Sequence, residues 1–159
     1  MKIVIKFFLC YILLSTVTTS SFAQAARDTI IREPKFKPPV VKTYLGVNQN
    51  GAQVTAEEGA ELVGLPLKVT DAKNHMYIIS SYQFLYRQKS YILDDQSGKK
   101  QEVFTISADR FNITPLPKVW VDNIRGRLQK DEQLYFFDIV VKDKEGRIFF
   151  APPLKITIQ

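Results

Sequence analysis

The chain has 159 residues, 45% of them apolar, and 22 basic against 16 acidic side chains give it a net charge of +6. That length suits one ordinary domain plus an address segment, and the apolar content argues against intrinsic disorder. The positive excess is mild and lacks the basic tract that tracks phosphates, which argues against nucleic acid as a partner.

The address comes first. Lys2 and Lys6 precede the apolar run Phe7–Leu14, and a small, polar stretch follows, ending in Ser21-Phe22-Ala23-Gln24-Ala25. This is the pattern of a secretory signal peptide, with cleavage expected after Ala23, although Ala25 also has small residues at the last and third-last positions. The run is shorter than the ~20 residues a membrane-spanning helix needs, which argues against an uncleaved anchor. Cys10 follows the bulky Leu9, unlike a lipid-attachment cysteine. Cleavage removes this only cysteine, so the mature chain is expected to have neither disulfide nor thiolate. It would keep 20 of the basic residues against 16 acidic ones, a charge of about +4.

Residues 24–39 carry Pro34, Pro38 and Pro39 without a regular period and read as an extended arm. Residues 40–159 read as one domain. A first strand is expected over Val40–Val47, with a turn at Asn48-Gln49-Asn50-Gly51. In "TAEEGAELVG", Thr55 can cap a helix while Glu58 returns a bond to the cap's own amide, and Gly64 can provide a left-handed stop. Glu57 and Glu58 are neighbours that point about 100° apart on a helix, so capping and the helix dipole explain them better than acid–base chemistry.

Leu65–Thr70 is expected as a strand, "DAKNH" as a turn, and Met76–Arg87 as a long strand whose two alternating faces are both of mixed character. Asp94-Asp95-Gln96-Ser97-Gly98 is a turn without the ligand pattern of a calcium loop. Lys100–Ile106 should pair with the preceding strand. Val121, Ile124 and Leu128 recur at helical spacing after Pro117, so a short amphipathic helix is expected there. Trp120 beside that stripe reads first as a partly buried core ring and second as a contact residue. Arg125 and Arg127 on the same segment are candidates for partner contact. In the final stretch, Tyr135, Phe137, Ile139 and Val141 are read as one strand face, "KDKEG" as a tight turn and Arg147–Ala151 as the return. Pro152-Pro153 should break the ladder and let the chain bend, with a change of sheet before Leu154–Ile158 as one outcome.

Reactive groups are sparse. Outside the first residues the chain has no cysteine and a single histidine, His75, in a predicted turn, and no glycine-rich phosphate loop. The sequon Asn112-Ile113-Thr114 matters only in a eukaryotic secretory pathway. No catalytic, cofactor or metal-binding residue is assigned, and no Asp or Glu stands out from turns and caps. The reading is non-enzymatic, without a cofactor.

Three stretches, "PPVVKTYLGVNQNGAQVTAEEGAELVG", "NHMYIISSYQFLYR" and "LQKDEQLYFFDIVVKDKEGRIFFAPPLKITIQ", together resemble the last domain of the GldM and PorM proteins. The resemblance spans roughly residues 38–159 and implies a mainly β, immunoglobulin-like sandwich with one or two short helices. It also implies the periplasm of a Bacteroidetes-type bacterium, and gliding motility or type IX secretion through contacts with other envelope components. Full members carry a membrane helix and several stacked periplasmic domains, whereas here the signal peptide leads almost directly to this one. The expectation is therefore an accessory or competitor at the same docking surface. A carbohydrate- or peptidoglycan-binding module is the alternative, motivated by the 12% aromatic content and the sandwich pattern.

Overall fold

A computed structural model describes residues 35–159; the proposed signal peptide, its Ala23 cleavage point and most of the 24–39 arm lie outside the described residues. Pro38–Gln159 packs as one unit. Its strands are β1 (Val41–Leu45), β2 (Ala52–Val54), β3 (Leu67–Asp71), β4 (Ile78–Leu93), β5 (Lys100–Phe111), β6 (Gln133–Lys142), β7 (Ile148–Ala151) and β8 (Leu154–Ile158). Two helices interrupt them, α1 (Ala56–Leu62) and α2 (Lys118–Arg125).

The described residues are mainly β, a sandwich of unequal layers with two short helices. The larger sheet runs β2-β8-β6-β4-β5, with β7 also on β6, and the smaller is the antiparallel pair β1–β3. Alternation explains the seam. Val41, Thr43 and Leu45 on β1 lie opposite Asp71, Val69 and Leu67 on β3, and all but Asp71 are buried on one face. The larger sheet presents Tyr82, Phe84 and Tyr86, Leu134 and Phe136, and Leu154, Ile156 and Ile158, all buried. Two polar ties join the parts: the Thr43 hydroxyl donates to the Pro152 carbonyl at 2.6 Å, and the Leu67 N–H donates to Thr114 Oγ1 at 2.7 Å.

Several expectations change in the three-dimensional structure. The short strand β2 was not foreseen; three residues carry too little pattern to announce themselves, and its parallel pairing with β8 is a non-local choice. Tyr135 and Phe137 do not share a face with Ile139 and Val141. Asp138 adopts φ 47°, which inserts one residue into the alternation, so Leu134 and Phe136 point inward with Ile139 and Val141. Tyr135 and Phe137 are left half-buried on the opposite face, stacked at 5.0 Å and 11°. The β4–β6 ladder shifts register at Ser81, beside this point, and the Gln83 amide donates to Asp138 Oδ2 at 2.6 Å across it.

The double proline does not send the chain to another sheet. Ile139 pairs with Ala151 and Phe136 with Leu154, so β7 and β8 run along β6 in one continuous register. Missing N–H groups interrupt the ladder locally, but burial of Ala151 and Leu154 on the same face holds the direction.

The α1 helix is capped as expected at one end only. Thr55 Oγ1 accepts from the Glu58 N–H at 3.2 Å, but the Glu58 carboxylate takes the Asn48 amide at 3.3 Å instead of returning to the cap. Gly64 is not a left-handed stop. Its missing Cβ makes room, because a methyl group there would meet Arg125 Nη2 at 2.7 Å. Arg125 Nε donates to the Ala60 carbonyl at 3.0 Å, so a cation from α2 satisfies a carbonyl at the C-terminal end of α1.

Candidate functional site: the open β5 edge and its groove

The β4–β5 hairpin is longer than the expected strands, pairing Tyr82–Leu93 with Lys100–Phe111 without a register break. β6 follows β4 only as far as the Arg87–Gln133 pair. From Gln88 to Thr105 the hairpin therefore projects as a two-stranded ribbon, with Tyr91, Ile92 and Leu93 each more than half exposed. At its tip, Asp94 Oδ1 accepts the Gln96 and Ser97 N–H groups, and these bonds hold its carboxyl below the ordinary range.

β5 ends the sheet order, so one side of its backbone lacks a neighbouring strand. Which groups are open follows from one hydrogen bond. The Lys89 N–H donates to Glu132 Oε1 at 2.8 Å, away from β5. Its opposite residue Phe104 therefore sits at a non-hydrogen-bonded position of the β4–β5 ladder, where both backbones point apart. Glu102, Phe104, Ile106, Ala108 and Arg110 share that phase and turn their N–H and C=O groups to the free edge. In agreement, the Arg110 N–H is taken by the neighbouring Asp109 side chain at 2.7 Å and not by a strand.

Beside this edge lies an open groove of about 580 Å3, bounded by β5 at Ile106, Ser107 and Ala108 and by α2 at Val119, Trp120 and Asn123, with Arg127 at its end. Trp120 is half-buried and meets Phe84 and Phe111 edge-on at 5.7 and 5.6 Å, so it belongs to the aromatic core and to the groove wall together. Arg127 is exposed and has no carboxylate partner among the described residues. The three sequence candidates thus divide: Trp120 and Arg127 line the groove, whereas Arg125 is engaged between the helices.

Beneath the groove is a residue that sequence reasoning missed. Glu132 is fully buried, and its carboxylate accepts the Tyr86 hydroxyl at 2.5 Å, the Lys89 N–H at 2.8 Å and the Gln129 N–H at 3.0 Å. Burial, and then the carboxylate beside it, push the Tyr86 hydroxyl well above its ordinary value. The signal was present: Glu132 is in phase with Leu134 and Phe136. The group ties the 126–132 turn to the middle of β4, where the ribbon leaves the sheet.

His75 is exposed in a turn, with Nδ1 3.0 Å from Asp71 Oδ2. Burial raises the Asp71 carboxyl, but the His75 N–H and ring and the Lys73 N–H outweigh it and hold the group at about 2. Its contribution to stability is present above the ordinary value of 3.8 and is lost as pH falls through about 2. The melting-temperature gap between the native chain and Asp71→Asn is therefore expected to narrow as pH is lowered across that window. A gap unchanged with pH would show that these bonds do not favour the ionised form.

Among the described residues, no group of three or more His, Cys, Asp or Glu side chains could hold a metal ion, and no helix is long and apolar enough to cross a membrane. Compared with known proteins, the chain matches no protein-family model, and no curated protein matches it significantly.

Proposed function

We propose that this chain is a non-catalytic adaptor or accessory of the bacterial cell envelope that docks a partner protein by accepting an extended segment along β5. The observation that carries the reading is the row of outward N–H and C=O groups from Glu102 to Arg110 beside a groove with an indole wall and an unpaired guanidinium. Strand addition uses such an edge for main-chain bonds and the adjoining pocket for side-chain selection. Trp120 and Val119 suit an apolar side chain, and Arg127 suits a carboxylate. The export pattern at the N-terminus and the resemblance to the last domain of the GldM and PorM proteins support a periplasmic location. They also favour a gliding or type IX secretion component as the partner.

Ile106→Pro tests the reading. Its N–H points to the free edge, so proline removes a docking bond without removing one from the β4–β5 ladder. Capture of an envelope protein by the tagged native chain is expected to fall at least about tenfold in the variant, equivalent to about 1.4 kcal/mol. Equal capture by both would rule out β5 as the docking edge. The second reading, a glycan-binding module, is favoured by the stacked Tyr135 and Phe137 on the opposite sheet face. Glycan-array binding that survives Ile106→Pro and is lost in Tyr135→Ala would select it.

A further inference from the structure

We propose that, without a docked partner, the β5 edge is closed by β5 of a second copy of this chain, paired antiparallel about a two-fold axis through Ile106. The inference rests on the reading of β5 as the docking edge and adds its regulation: self-pairing and partner docking exclude one another.

Sheet edges are normally protected by shortness, proline, bulges or charged side chains, and β5 carries charge only towards its two ends, at Lys100 and Glu102 and at Asp109 and Arg110. The opposite edge of the large sheet, β2, follows that rule with three residues. β5 does not. It runs for 12 residues, pairs with β4 without a bulge and contains no proline. Ile106 on it is 63% exposed. An edge this long and regular invites another strand, and the sequence of β5 specifies which one.

Outward residues can hydrogen-bond only to outward residues, so a two-fold antiparallel pair must bring Glu102, Phe104, Ile106, Ala108 and Arg110 against members of the same set. Centring the axis on Ile106 places Glu102 opposite Arg110 of the second copy, twice by symmetry. It places Phe104 opposite Ala108, a large side chain against a small one, and Ile106 opposite itself. All five share one sheet face, where opposed residues interact directly. Neighbouring registers lose this match. Moving the axis to Thr105 sets Lys100 against Arg110, and moving it to Ser107 sets Arg110 against Phe104 and carries Glu102 beyond the strand end. Lys89 holds the Glu102 carboxylate at 3.4 Å, while Arg110 has no ion-pair partner among the described residues.

Light scattering on the purified chain across a concentration series tests this. The native chain is expected to be a dimer that dissociates on dilution, and Ile106→Pro a folded monomer by near-ultraviolet circular dichroism. Glu102→Arg and Arg110→Glu should each weaken the dimer at least about tenfold, and the double exchange should restore it, because only this register opposes the two positions. A native chain that stays monomeric at every concentration overturns the proposal. So does a dimer indifferent to Ile106→Pro, or a double exchange no tighter than the single ones. A monomer whose partner capture still depends on Ile106 overturns self-closure while leaving the docking edge standing.

Discussion

Glu132→Ala is expected to destabilise the domain by about 3–5 kcal/mol, among the largest effects of any single substitution here. The carboxylate is inaccessible to solvent and accepts three hydrogen bonds, from a phenol and two backbone N–H groups. Alanine leaves all three donors without their acceptor, the phenol in a buried site and the two N–H groups in part-buried ones. Glu132→Gln keeps the shape but turns one acceptor into a donor facing other donors, so a loss of about 1–3 kcal/mol is expected. Urea unfolding followed by fluorescence of Trp120, the only tryptophan, measures both. An alanine variant within 1 kcal/mol of the native chain, again by the usual cost of stranded donors, would mean that water reaches the site. Tyr86→Phe removes one donor from the same cluster. Its effect should not add to that of Glu132→Ala, because the two residues share the bond.

Phe84→Ala is the second large effect, with an expected loss of about 3–5 kcal/mol. The Phe84 ring is fully buried, 4.8 Å from Phe136 and 5.7 Å from Trp120. Its removal opens a cavity between the large sheet and α2. Close-packed strands cannot collapse to fill it. The same change unseats the indole that forms the groove wall, so the fluorescence of the folded variant should shift to the red and partner capture should fall even where the protein is folded. Phe150→Ala is the control. That ring is 71% exposed, and its loss is expected to cost less than about 0.5 kcal/mol. Equal losses at the two positions would contradict the packing described here.

Local pattern was enough for much of this architecture. It places strands across most of β1, β3, β4 and β8, Val121 and Ile124 mark α2 while Leu128 of the same stripe falls beyond its end, and Thr55 marks the start of α1. The turn before β7 was legible for a physical reason: Asp143 accepts from the Glu145 and Arg147 N–H groups, and Gly146 takes the positive φ of 79° that closes it. The division of Trp120, Arg125 and Arg127 between groove and helix contact was not legible. All three lie in one amphipathic segment, and only the neighbouring elements distinguish them.

The sequence by itself determined most of the segments that become strands and helices, β2 and the far end of the β4–β5 hairpin excepted, because those segments are set by residue type and short-range spacing. The tertiary structure alone decided that β5 is an edge, that Asp138 reverses the facing of Tyr135 and Phe137, and that Tyr86, Lys89 and Gln129 converge on the Glu132 carboxylate beneath the groove. Each of these depends on which strand lies beside which, over separations of tens of residues. Sheet order is set by how the apolar faces of the whole domain close on one another. No window of sequence contains that information, and the open edge exists only once the other strands have found their places.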